Sequence, residues 1–152
     1  MNEHARGLYF EEFSLGQVIE SPARTITETD VVQFAGLSGD FNQLHTDRVF
    51  AQETVFGERI AHGLLTLSIA SGLAARAGII EGTVQAFAGL TWKFKQPVRI
   101  GDTVHLRGEV SSLRALPRLG SGRVVIKVSV INQDDEIVQQ GEWTLLMESR
   151  GD

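Results

Sequence analysis

Asp40 and His45 are side chains whose types and spacing could move protons. They stand five residues apart in Ser38-Gly39-Asp40-Phe41-Asn42-Gln43-Leu44-His45, with Asn42 between them. A carboxylate and an imidazole that converge can hold one water by two hydrogen bonds. One group then takes a proton while the other gives one, which addition of water to a conjugated alkene requires. Five is not a helical spacing that aligns side chains, so convergence depends on the turn of the loop itself. The spacing is equally met by an aspartate that caps the loop and an ordinary, partly buried histidine. A second candidate is His62-Gly63, at the head of an apolar run. Backbone N–H groups at a helix start are unpaired and carry partial positive charge. A carbonyl placed against the Gly63 N–H would be polarised as charge develops on its oxygen. Glycine allows that close approach, and it also suits a tightly packed helix start. Ser71 lies eight residues further on, about two turns and near the same helical face. A serine on a buried helix can instead bond to its own backbone.

Other chemistries have less behind them. His4, His45, His62 and His105 show no metal-ligand spacing, and there is no HExxH, so no metal is expected. Ser38-Gly39-Asp40 is not a GxSxG elbow, and Gly36 to Gly39 is no phosphate loop. Lys93, Lys95 and Arg99 are candidates to meet ligand phosphates, although alternating lysines on a strand also describe a solvated face. Cysteine is absent, which removes disulfides, thiol nucleophiles and cysteine-bound zinc and fits a reducing compartment. The net charge is −5 with both signs interspersed, so no basic stripe offers itself to nucleic acid. The opening Met1-Asn2-Glu3-His4-Ala5-Arg6 has no apolar leader core. No run approaches the roughly eighteen apolar residues of a membrane span. A cytoplasmic protein with no membrane partner is expected.

The elements that must position these residues follow from periodicity. At 152 residues, one domain over 1–152 is expected, large enough for one core. Ser14 to Gln17 reads as a turn and Val18 to Ser21 as a short strand. Thr27, three residues before Asp30, predicts a capping box and a short helix ending near Gly36 to Gly39. A helical turn is expected over Asp47 to Gln52. His62 to Gly78 predicts a helix apolar nearly all the way round, and so surrounded by protein. Beyond it, Leu90/Trp92/Phe94, Val104/Leu106/Val110, Ile126/Val128/Val130 and Trp143/Leu145/Met147 alternate with other residues, predicting antiparallel strands with one face buried. Pro97 to Asp102 and Asn132 to Glu136 hold turns, and Leu113 to Gly122 reads as a looser connection. Strands segregated from helices imply an α+β fold, an antiparallel sheet wrapped around a central apolar helix: a single hot-dog fold. Its sheet edges would be costly to expose, so a homodimer is expected, open to further assembly.

Together these pieces resemble the MaoC-like dehydratase family, of the (R)-specific enoyl-CoA hydratase type, over nearly the whole chain. Tyr9 to Phe13 with Gly16 and Arg24 to Glu28 are similar to the family's lead-in. Ser38 to Asp47 resembles its Asp–Asn–His signature, and Ile60-Ala61-His62-Gly63-Leu64-Leu65 its second block. The resemblance implies Asp40 and His45 as catalytic, Gly63 as the carbonyl-polarising residue, Ser71 as an orienting residue and Asn42 as the residue that shapes the loop. His62 is placed with the substrate-binding group, and Lys93, Lys95 and Arg99 are the candidates for CoA. One departure stands out: the family usually has proline after the asparagine, and here it is Gln43. The implied reaction is reversible syn-addition of water to a trans-2-enoyl-CoA, giving a (3R)-3-hydroxyacyl-CoA, with a place in fatty-acid metabolism and no cofactor beyond the CoA thioester substrate. Three alternatives share the fold: an acyl-CoA thioesterase, a 3-hydroxyacyl-carrier-protein dehydratase and a non-catalytic acyl-CoA-binding module. Free thiol release, a basic docking patch and binding without turnover, respectively, would mark them.

Overall fold

Thr27 starts the first helix as its capping box predicts. Its hydroxyl accepts from Asp30 N–H at 3.2 Å, and Asp30 Oδ2 accepts from Thr27 N–H at 2.8 Å. The helix, α1 (Glu28–Ser38), stops at Gly39, whose φ of 77° is the left-handed cap that glycine adopts without a Cβ penalty. The computed structural model describes residues 6–151. Met1 to Ala5 of the opening segment, His4 included, lie outside the described residues, as does Asp152. Two short helices follow α1: α2 (Gln43–Thr46), capped by Asn42, and α3 (Arg48–Gln52), capped by Asp47. The central helix is α4 (Gly63–Arg76), after which Gly78 takes φ 80°.

Six antiparallel strands form the sheet: β1 (Val18–Glu20), β2 (Arg24–Thr25), β3 (Val84–Phe94), β4 (Thr103–Leu116), β5 (Ser121–Ile131) and β6 (Ile137–Glu148). Their order is β1-β4-β5-β6-β3, with β2 also beside β4. One face packs on α4 in the hot-dog arrangement. Leu65, Ile69 and Leu73 of α4 join Leu106, Val110, Ile126, Val128 and Leu145 in a single buried cluster. Each such side chain contributes roughly 1.5–3 kcal/mol on burial. Exposed Arg107, Glu109, Lys127 and Glu142 lie on the opposite face. No helix among the described residues is long and apolar enough to cross a membrane.

Four sequence expectations need correction. The Leu113–Gly122 stretch is strand on both sides of a 3-10 turn at Pro117–Leu119, paired from Leu113↔Val124 to Leu116↔Ser121. Gly122 reads as punctuation but is a packing position, because the Phe10 ring fills the space a Cβ would need. The Pro97–Asp102 connection holds its expected turn, with Asp102 N–H on the Arg99 carbonyl at 3.0 Å, but the strands it joins are not neighbours: β3 pairs with β6 at one edge, while β4 lies across the sheet. The alternation of Leu90, Trp92 and Phe94 in β3 predicts one buried face, and Trp92 does pack against the core, but Leu90 and Phe94 are exposed because β3 is that edge. Likewise α4 is covered on one side only, leaving Leu64, Ser68, Ser71 and Gly72 in the open.

Candidate active site

The loop between α1 and α2 is built from short polar side chains bonding to nearby backbone, the habit of Ser, Asn and Asp outside helices. Asp40 N–H donates to Ser38 Oγ at 3.1 Å, Asn42 N–H to Asp40 Oδ1 at 3.2 Å, and Leu44 N–H to Asn42 Oδ1 at 3.0 Å. The last of these bonds caps α2 and turns His45 inward. His45 is buried, and its Nδ1 lies 2.8 Å from the Ile60 carbonyl. A carbonyl can only accept, so Nδ1 carries the proton and, in the neutral ring, Nε2 keeps its lone pair. Among the described residues no partner occupies that Nε2.

The segment Ile60–Gly63 meets this loop at several points. Ile60 offers its carbonyl to His45, and Ala61 N–H donates to the Val98 carbonyl at 2.7 Å, tying the segment to the chain entering β4. His62 is only 2% exposed, and its Nε2 lies 2.9 Å from the Asp40 carbonyl. Its ring stacks on that of His45, with centroids 3.8 Å apart and planes 27° off parallel. A carboxylate oxygen of Asp40 and a ring nitrogen each of His45 and His62 lie within 4.8 Å of one another. Two hydrogen bonds from one water span about 4.6 Å at a tetrahedral angle, so the cluster has the size for a shared water. As a metal cage it is poor: nearly parallel stacked rings cannot aim two lone pairs at one ion.

Gly63 is the first residue of α4, and no described residue accepts from its N–H. A cleft of about 490 Å³ opens beside it, lined by Phe56, Ile60, Leu64, Phe94, Lys95 and Gln139 among others. Asp40 and His45 do not line the cleft, so Gly63 is where the cleft and the cluster adjoin. Gln139, 2% exposed on β6, donates from Nε2 to the Gly63 carbonyl at 3.1 Å and accepts from Trp92 Nε1 at 2.9 Å. Periodicity did not flag this buried amide, because a glutamine in an alternating strand looks like the solvated face.

The remaining candidates are dispersed. Ser71 is exposed, and its hydroxyl donates to the Ser68 carbonyl at 2.6 Å. It stands about 12 Å along α4 from Gly63 by helix rise. Arg99 is engaged, with Nη1 donating to the Phe56 carbonyl and to Glu58, both at 2.8 Å. Lys93 and Lys95 are exposed, and of the two only Lys95 lines the cleft.

Fold and site define a hot-dog protein with a carboxylate–imidazole cluster at the head of its central helix. The sequence profile of the family described as MaoC like domain matches residues 12–132, and the chain belongs to this MaoC-like dehydratase family. It is 37% identical over 143 residues to the (R)-specific enoyl-CoA hydratase of Rhodospirillum rubrum, covering 94% of each chain. It is 41% identical over 99 residues to Protein MaoC of Klebsiella aerogenes, across 65% of this chain but only 29% of that longer protein. Among solved structures, unliganded R-hydratase PhaJ1 of Pseudomonas aeruginosa superposes with a TM-score of 0.79 at 33% identity, covering 95% of this chain and 88% of that one.

Proposed function

We propose that this protein is an (R)-specific enoyl-CoA hydratase, acting in reverse as a 3-hydroxyacyl-CoA dehydratase, and that one hot-dog unit spanning the chain forms its working subunit. The observation that carries the reading is the convergence of the Asp40 carboxylate with the His45 ring, within 4.8 Å, in a cluster whose third member, His62, immediately precedes Gly63. Enoyl-CoA as substrate rests on the names of the relatives.

A water held between the two groups attacks C3. His45 Nε2 takes its proton as the C3–O bond forms, and Asp40, starting the cycle as the carboxylic acid, delivers its proton to C2 on the same face and is left as the carboxylate. Exchange between the two groups returns the pair to its starting state, so the net change is one water added across the double bond. The reverse division of acid and base between the two groups gives the same product. Gly63 N–H holds the thioester oxygen while negative charge builds on it. The scheme calls on no cofactor. A homodimer formed through β3 is part of the proposal, supported by the free edge and exposed apolar side chains of that strand.

The test is hydration of crotonyl-CoA, followed by loss of enoyl absorbance and chiral analysis of the product. Asp40→Asn and His45→Gln should each lower turnover on the order of 10²- to 10⁴-fold. Undiminished turnover in either variant, or thiol release in place of hydration, overturns the proposal.

A further inference from the structure

We infer that His62 is a positioning residue for this reaction: its Nε2–H fixes the Asp40 backbone and its ring face fixes the His45 imidazole, setting both against Gly63. The inference rests on the reading of Asp40 and His45 as the reacting pair. The bond of His62 Nε2 to the Asp40 carbonyl at 2.9 Å spans 22 residues of sequence. The hydrogen bonds that Asp40 makes to Ser38 and Asn42 reach only two residues each, so they shape the loop without placing it. Because a carbonyl accepts only, the contact also selects one ring tautomer, with the proton on Nε2.

His62 also turns no free group toward solvent. At 2% exposure its side chain is sealed from solvent, and its Nδ1 is buried with no hydrogen-bond partner. With Nε2 engaged by the Asp40 carbonyl and Nδ1 buried, the His62 ring has no nitrogen left to present to a substrate. Phe34 lies against it with centroids 4.9 Å apart, and His45 stacks on it at 3.8 Å. His62 is also the N-cap residue of α4, so its own backbone is rigidly joined to Gly63. One residue therefore links the acid, the base and the carbonyl-polarising N–H.

The test uses the intact protein with crotonyl-CoA. His62→Phe keeps an aromatic ring and removes the donor, while His62→Gln keeps a donor and removes the stacked ring. His62→Phe should lower kcat on the order of 10- to 100-fold through misplacement of the pair, with KM changed by no more than about twofold. His62→Gln should recover part of the loss. Nitrogen-15 spectra of the wild-type protein should show His62 as the Nε2–H form and His45 as the Nδ1–H form. Wild-type kcat in His62→Phe, a loss confined to KM, or a His62 ring protonated at Nδ1 would each overturn the inference. If His62→Phe fails to fold, His62→Gln and the wild-type spectrum decide. Asp40→Asn and His45→Gln are assayed in parallel: full activity there defeats the parent reading, whereas their loss beside an active His62→Phe defeats this one alone.

Discussion

At Gly63 any side chain would collide with an aromatic ring: a Cβ would stand 2.7 Å from Phe94 Cδ1 and 2.8 Å from Cε1. The same ring lines the cleft, so the residue that offers the free N–H is packed against the wall of the proposed acyl-thioester cleft. Gly63→Ala is expected to lower stability by roughly 1–3 kcal/mol, the usual cost of overpacking. Removing the obstacle in Gly63→Ala/Phe94→Ala should recover part of that loss relative to Phe94→Ala alone. Thermal denaturation of the four proteins checks it. A Gly63→Ala protein as stable as wild type would mean that the ring simply rotates aside. The consequence of Asp40→Asn and His45→Gln belongs to this scale as well, because it is decided by the protons of two side chains.

Among the elements, α2 shows how the chain tolerates its departure from the family pattern. Gln43 occupies the first helical position, where proline suits the helix and its missing N–H costs nothing. The Asn42 cap remains, with its side chain on Leu44 N–H at 3.0 Å, so α2 forms without the proline. Gln43→Pro should therefore stabilise the protein by about 0.4–1 kcal/mol through the unfolded state, with hydration activity retained. Denaturant unfolding measures this, and a destabilised variant would show that the backbone at Gln43 does not match proline. A second link between elements is ionic. Arg59, one residue before Ile60, donates to Glu28 of α1 at 2.6 Å, and this bond holds the Glu28 carboxyl below its ordinary value of 4.5. Its contribution is then present above about pH 4.5 and fades as the pH falls through the depressed folded value. The gap in thermal midpoint between wild type and Glu28→Gln should accordingly be small at neutral pH, shrink in salt and vanish in acid. A gap that widened on acidification would contradict the sign.

For the molecule as a whole, β3 matters most. It pairs with β6 on one side only and exposes Phe87, Leu90 and Phe94, which leaves backbone donors, acceptors and apolar surface together at one edge. Such edges are normally covered. The expected outcome is a particle of twice the 16.7 kDa chain mass in sedimentation, shifted toward the single chain by Leu90→Lys. Wild-type protein that sediments as a single chain at working concentration would remove the dimer. The outer side of α4, with Leu64, Ser68 and Ser71, is likewise uncovered in the isolated chain.

Local physics made much of the protein readable from its residues. The Thr27–Asp30 capping box, the glycines that end α1 and follow α4, and the two-residue alternation of β4, β5 and β6 all depend on neighbours a few positions apart. The polar loop around Asp40 was visible for the same reason, and His62-Gly63 was visible as the start of an apolar helical run. Tertiary structure alone decided which atoms meet. His45 finds a carbonyl 15 residues away, His62 one 22 residues away, and Gln139 reaches Gly63 across 76 residues. Those distances in sequence carry no periodic signal, because the contacts exist only once the sheet and α4 have packed. The place of β3 at the edge has the same origin: alternation says which way side chains point, and only strand order says whether anything covers them.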